Sequence, residues 1–475
     1  MTLLPRQANV SWWMEEALAD PAFDTLPCPP LAGATHADVV VLGGGYTGMW
    51  TAWFLKERDP SCDVVLLEAD ERCGAGPSGR NGGFCSGLWD DLGTLVTFFG
   101  DADALRVALA AQRSVEEIER WLEAHAVDAW FSRAGHLTVA TSAAQVGAWA
   151  SLVTEAERLD VADGRFVVLD AAAVRARCDS PVFRSGLLQP HGAILQPARL
   201  ALGLRHELLG RGVRIFESSP VARFAEGPPV TVVTRGGAVV TAERGVIGLG
   251  AWAASLSAFR RAIVPRGTYI VVTEPAPERL TEIGWTGGEG LADWRTALHY
   301  LRATPDGRIA FGAASAAAGL GVGLGSRLRY DEGSIVKLVD DFYHFFPSWS
   351  GVGIEAAWGG PMDVTGRHLP SFGTLPAGTI HYGLGYTGGG VGPCHLGGKI
   401  LSALALGIAD ANTALPLVDV AMLRFPREPL RSIGAALTQH AIVRKDEYED
   451  RGVRVDPLTS FVAKMPRRMG YELGP

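Results

Sequence analysis

The chain has 475 residues, 47% of them apolar and 20% charged, which is ordinary globular usage and excludes a disordered chain. That length suits about two or three domains. With 43 basic against 51 acidic side chains the net charge is −8, so no electrostatic ground exists for a nucleic-acid partner.

Residues 1–35 form a polar lead-in broken by Pro27, Pro29 and Pro30. Its first twenty residues lack the apolar run of a secretory signal, so a cytoplasmic location is expected. The uncharged stretch 39–55 is shorter than the ~20 residues of a membrane span and carries four glycines. It reads instead as a buried strand, Val39-Val40-Val41-Leu42, a glycine turn, and a helix over 47–58. A second apolar run, Val64-Val65-Leu66-Leu67, completes a βαβ unit and ends at Glu68.

Residues 101–160 predict two or more amphipathic helices around a short strand at 135–140. A helix over 197–211 leads to a strand at 213–216. A hairpin follows, with strands at 230–234 and 238–241 around the turn Arg235-Gly236-Gly237. A further strand, 245–249, runs into Gly250. Residues 262–350 alternate strands and turns, with one helix at 332–346. From 379 the order is strand, glycine turn and a helix over 394–407, and 421–475 reads as a charged, partly extended arm. The six cysteines (28, 62, 73, 85, 178 and 394) form no C-x-x-C pair and read as free thiols of a reducing compartment.

Gly43-Gly44-Gly45-Tyr46-Thr47-Gly48 fits G-x-G-x-x-G between a strand and a helix, with Glu68 twenty residues past Gly48. That context is a dinucleotide fingerprint. Gly43 permits the tight turn, Gly45 lets a pyrophosphate approach the backbone, and Gly48 lets helix and strand pack closely. The helix N-terminus then offers unpaired N–H groups to the phosphates. Glu68 accepts ribose hydroxyls and would repel a 2′-phosphate, which argues against NADP. The fingerprint alone leaves FAD and NAD both open.

The segment after Glu68 separates them. Residues 73–84 read Cys-Gly-Ala-Gly-Pro-Ser-Gly-Arg-Asn-Gly-Gly-Phe, a run that suits a chain passing extended across a ligand. A nicotinamide dehydrogenase would place a helix there. With this loop the sequence resembles the D-amino-acid oxidase superfamily of FAD-dependent amine oxidoreductases, and within it the branch containing gamma-glutamylputrescine oxidase. The matching pieces are G-G-G-Y-T-G, Glu68, S-G-R-N-G-G at 78–83, Y-L-R-A-T-P-D-G-R at 300–308 and G-L-G-Y-T-G-G-G-V-G-P at 383–393. The resemblance runs from about residue 37 to 410, with weaker echoes at Trp12-Trp13 and 425–430.

The resemblance implies an α/β fold, α+β overall. A Rossmann-like FAD domain of discontinuous segments (36–95, 188–260 and 355–420) would join an antiparallel-sheet substrate domain (96–187 and 261–354). The lead-in 1–35 and the arm 421–475 would flank them. It also implies that Tyr46, Thr47, Ser78, Arg80, Asn81, Gly82, Gly83 and Gly250 adjoin the cofactor and that the Val221 backbone touches the adenine. Gly388, Gly389, Gly390 and Val391 would open a helix whose N-terminus receives the negative charge of reduced flavin.

Tyr300 and Arg302 alternate on one strand face, and an arginine there would pair with an anionic substrate group. His191 and Trp358 complete the expected catalytic border, with Trp89 and His299 as further rim candidates. Family members that hold FAD covalently use a His where this chain has Arg80 and Asn81, or a Cys within the equivalent of 355–370, where it has none. Noncovalent FAD is expected, and no metal.

The activity implied is oxidation of a C–N bond in a small amine or amino acid, giving an imine that water hydrolyses to an aldehyde and ammonia or an amine. Oxygen as acceptor would yield hydrogen peroxide. A same-fold dehydrogenase serving a quinone or protein acceptor is the alternative. A monooxygenase fits less well, because no G-D-A stands in the last motif, and a non-catalytic FAD-binding protein is a third class. Primary amines, amino acids, N-methyl amines and aminophosphonates all remain open as substrates.

Overall fold

The computed structural model describes residues 4–24, 26–318 and 324–472. The tips of the predicted lead-in and arm, and residues 319–323 within the predicted alternating run, lie outside the described residues. Two large sheets organise the chain. The first is built on the strand Ala34–Leu42, whose last four residues are all buried. It pairs in parallel with Val64–Leu67 on one side and Val239–Ile247 on the other. Arg214–Phe216 extends one edge, and Val230–Thr234 and Val221–Ala225 extend the other as an antiparallel meander. Ile380–Leu384 joins in parallel beside residues 245–247. Helices cover this sheet, so its parallel strands need apolar residues on both faces and read as unbroken Val, Ile and Leu runs.

The predicted return strand 238–241 and the predicted strand 245–249 are one nine-residue strand. The stretch 39–55 resolves into a strand, a turn and the helix Tyr46–Arg58. Among the described residues no helix is long and apolar enough to cross a membrane.

The second sheet has nine strands, in the order Arg6–Gln7, Ile354–Thr365, Ile263–Thr273, Ile309–Ala318, His299–Ala303, Gly290–Asp293, His136–Ala140, Ser185–Gln189 and Val167–Leu169. Most pairs are antiparallel. One expectation is corrected here: residues 355–365, grouped with the FAD segments, form a strand of this sheet and pair along Ile263–Thr273. The outer face packs on the helix Glu332–Phe345, which buries Ile335, Leu338, Phe342 and Phe345. The inner face roofs a cavity.

Both flanking segments are built into the body. Ser11 caps the helix Trp12–Ala19, accepting from the Met14 N–H at 3.1 Å, and its hydroxyl donates to the Gly79 carbonyl at 2.6 Å. The arm is helical rather than extended, with helices Leu430–Asp450, Pro457–Ala463 and Met465–Arg468.

Candidate active site

A connected cavity of about 1600 Å³ runs between the two sheets. That exceeds the ~300–1,000 Å³ of a pocket for one drug-sized ligand, leaving room for a dinucleotide and a small substrate together. At one end the chain comes so close to itself that only glycine fits. Gly43 has φ +106°, and a Cβ on Gly48 would stand 1.9 Å from the Gly43 carbonyl oxygen. A Cβ on Gly45 would meet only Ser78 Oγ, at 3.1 Å, at the edge of the cavity. The helix beginning at Tyr46 has no side-chain cap on its N-cap residue Gly45, and the Tyr46 N–H donates to Ser78 Oγ at 2.8 Å.

Glu68 stands at the end of its strand with both carboxylate oxygens occupied. Oε2 accepts from the Gly44 N–H at 2.7 Å and Oε1 from the Asp70 N–H at 2.8 Å. Burial nevertheless raises its pKa to about 7. Val221 and Gly250 line the same end.

The loop 76–82 crosses beneath the cavity. Arg80 is buried; its Nε donates to the Ala75 carbonyl at 2.7 Å and its Nη1 to Gly359 at 3.1 Å. It has no carboxylate partner among the described residues, and burial lowers its pKa to about 10. A buried guanidinium balanced only by carbonyls at the cavity wall suits an anionic or electron-rich ligand. The Asn81 amide holds its own loop, donating to Pro77 and Ser78 carbonyls and accepting from the Gly83 N–H.

Opposite, Gly388, Gly389, Gly390 and Val391 line the cavity where the helix Val391–Ala405 begins, again without a side-chain cap. Asp363 braces that turn by accepting from the Gly385 N–H at 2.5 Å, and burial raises its pKa to about 6. Two helix N-termini whose N-cap residues are glycines without a side-chain cap therefore face one cavity, a field suited to negative charge. Among the described residues no cluster of His, Cys, Asp and Glu gathers as a metal site.

On the roof, the Tyr300 ring lies over Gly82, where a Cβ would stand 2.7 Å from the ring, and its hydroxyl pairs with Thr268 Oγ1 at 2.6 Å. Burial raises the phenol to about 12, so it stays protonated at neutral pH. The other expected catalytic residues lie elsewhere. Arg302 shares the Tyr300 face but sits beyond the cavity, where its guanidinium donates to the Leu195 carbonyl and lies 5.3 Å from the Trp13 ring centroid. Among the described residues its partners are carbonyls and a π face, and burial lowers its pKa to about 9.

Trp358 is fully buried behind the loop; its indole N–H donates to the Arg80 carbonyl at 2.8 Å and its ring packs edge-on to Trp13. His191 is exposed in the turn after Ser185–Gln189, away from the cavity. Trp89 is buried beneath Arg165. His299 points to the opposite face of the sheet, bonded to Asp293 at 2.8 Å and Asp341 at 3.2 Å, as its adjacency to Tyr300 requires. Gly48 and Gly83 do not line the cavity either: Gly48 packs on Gly43, and Gly83 packs on Leu195.

Several lining residues carried no signal in the sequence. Asp90, His136 and Gln189 meet at one end of the roof. Arg266 and Gln439 meet on another side, where the helix Leu430–Asp450 closes the cavity. An ion pair between Arg295 and Asp450, 2.9 Å apart, helps fasten that helix. Each of these residues comes from a different segment, and no spacing rule joins them.

Over residues 38–404 the chain matches the family model described as DAO, FAD dependent oxidoreductase. It is 30% identical over 418 residues to gamma-glutamylputrescine oxidoreductase of Escherichia coli (strain K12), covering 86% of this chain and 94% of that protein. Among solved structures it resembles glycine oxidase from Geobacillus kaustophilus, at 20% identity and a TM-score of 0.67, covering 82% of this chain and 100% of that one. It also resembles L-proline dehydrogenase from P. horikoshii, at 19% identity and a TM-score of 0.64, covering 82% and 96% of the two chains.

Proposed function

The chain belongs to the DAO family of FAD-dependent oxidoreductases, and from that membership we propose that it oxidises a C–N bond of a small amine or amino acid with oxygen as acceptor. The observation that carries this reading is the continuity of one cavity from the glycine cradle to the Tyr300 roof. In it a cofactor and an amine can lie face to face.

Bound FAD supplies the hydride acceptor and passes the electrons on. The backbone at Gly43, Gly45 and Thr47 takes the pyrophosphate, and Glu68 accepts the adenosine ribose hydroxyls. The uncapped N-terminus at Gly390 and the guanidinium of Arg80 favour negative charge at the far end. Tyr300, held protonated and tied to Thr268, shapes the roof and excludes water rather than moving a proton. The amine arrives neutral, so no strong base is needed beside it.

Cys394 lies on the cavity wall, but burial holds its thiol up at about 12 and Thr47 donates to its sulfur at 3.3 Å. It is therefore no nucleophile, which supports noncovalent FAD. The six free thiols suit a reducing cytoplasm. The Escherichia coli relative's name, an oxidoreductase of an amine, supports the substrate class.

Anaerobic mixing with a panel of amines and amino acids, followed by oxygen, tests the reading. Bleaching by an amine and recolouring with peroxide is expected. Bleaching that only a quinone or protein acceptor reverses would make it a dehydrogenase. No bleaching by any amine would overturn the proposal.

A further inference from the structure

The cavity wall at Asp90, His136 and Gln189 is built almost wholly of hydrogen-bond acceptors. Gln189 and His136 are only 9% and 8% exposed. Gln189 Nε2 donates to Asp90 Oδ1 at 2.6 Å. A carboxylate only accepts, so the Gln189 amide must turn its nitrogen there, which leaves Oε1 as an acceptor. His136 Nε2 lies 2.8 Å from the Ala193 carbonyl. A carbonyl also only accepts, so Nε2 carries the hydrogen.

Burial lowers the His136 pKa and raises that of Asp90, a carboxyl that a cation at its free oxygen would hold ionised. His136 is thus neutral, with a lone pair on Nδ1. Among the described residues three acceptor atoms have no protein partner: Asp90 Oδ2, His136 Nδ1 and Gln189 Oε1. The spare N–H of Gln189 is the one donor the three side chains have left. No cation pairs with Asp90 among the described residues, and the nearby Arg295 is engaged by Asp293 and Asp450.

We propose that this end of the cavity is a subsite for a protonated amino group of the substrate, one other than the nitrogen that is oxidised. The inference rests on the amine-oxidising reading above. A carboxylate beside the reacting nitrogen would hold it protonated, and an ammonium has no lone pair to expel a hydride. The charge must therefore belong to a second nitrogen. Phe84, Ala292 and Leu298 line the wall nearby and give an apolar path for a methylene chain. The strand of His136 lies two strands from that of Tyr300, roughly 10 Å across the sheet. The substrate class is thus an extended amine with a second, distal ammonium.

The test compares 1,6-diaminohexane with hexylamine on the FAD-loaded protein, by calorimetric binding and by anaerobic flavin bleaching. The diamine is expected to be preferred by at least about tenfold in both, as a charge-assisted contact requires. Asp90→Asn should collapse that ratio to within about threefold, and Gln189→Met, should Asp90→Asn fail to fold, should shrink it in the same direction. Equal preference in the native protein, or a preference that survives both substitutions, would overturn the subsite. If neither amine bleaches the flavin but the diamine still binds in an Asp90-dependent way, the subsite stands and the amine-oxidising reading fails.

Discussion

The two ends of the cavity are held by different chemistry. At the proposed nucleotide end the backbone forms the wall: Gly43 and Gly48 stand where a carbonyl comes too close for a side chain, Gly45 leaves the cavity edge open, and Glu68 is pinned by two backbone N–H groups. At the proposed substrate end side chains from distant strands make the wall: Thr268, Tyr300, His136 and Gln189, joined by Asp90 from a loop. Backbone recognition leaves a spacing in the sequence. Side-chain recognition leaves single residues tens or hundreds of positions apart.

The largest expected effect breaks the backbone end. Gly45→Val projects a side chain into the cavity and should abolish FAD retention while the fold survives, read as flavin absorbance after gel filtration beside far-ultraviolet circular dichroism. Gly48→Ala places a carbon 1.9 Å from the Gly43 carbonyl and should lose both flavin and stability. A Gly45→Val protein that kept stoichiometric flavin would reduce the motif to a structural turn.

Arg302 sharpens the other side of the comparison. Arg302→Ala leaves the Leu195 carbonyl without its donor and a void against Trp13. It should cost roughly 2–4 kcal/mol in urea unfolding. Arg302→Met, which keeps the volume without a buried charge, should cost much less. A large rise in KM with unchanged stability would return Arg302 to the substrate site.

The third prediction is a pH dependence. Burial raises the Glu68 pKa to about 7, and ribose hydroxyls donate more strongly to its ionised form than to the protonated carboxyl. Below pH 7 FAD binding is therefore coupled to loss of that proton, so affinity should fall with falling pH, by at most about tenfold per pH unit, and level off above pH 7. For the free protein the sign is opposite. The raised carboxyl favours the fold at low pH, and that contribution fades as pH climbs through about 7. Flavin-fluorescence titration across pH, with Glu68→Gln as the flat control, decides it.

The smallest effect is Tyr300→Phe. It removes one hydrogen bond to Thr268 and should cost about 0.5–1.5 kcal/mol in stability. Because the phenol titrates at about 12, the pH profile of flavin bleaching should keep its shape below pH 10. A lost limb near neutrality would make Tyr300 an acid–base group.

Most of the first sheet was legible in the sequence because a parallel strand buried on both faces needs an unbroken apolar run. Val39–Leu42 and Val64–Leu67 show one, and the glycines between them can serve only a tight turn. Period-two alternation also contained a warning about the roof: His299 and Tyr300 are adjacent, so both could not face the cavity. Arg302 passed that test and still lay outside, because alternation selects a face of the sheet and not the distance along it. The break at 355 was misplaced because Ile354–Thr365 pairs with Ile263–Thr273, some ninety residues earlier, a partnership that leaves no local mark.

Local chemistry in the chain therefore determines the glycine cradle, the carboxylate beside it and the helix opening at Val391. Each depends on backbone conformation, and glycine spacing records backbone conformation. The three acceptors at Asp90, His136 and Gln189, the retreat of Arg302 behind Gly83, and the closing of the cavity by Leu430–Asp450 came from the packing of the two sheets. Those contacts join segments far apart in the chain, and which side chains meet there is settled by strand order, register and burial.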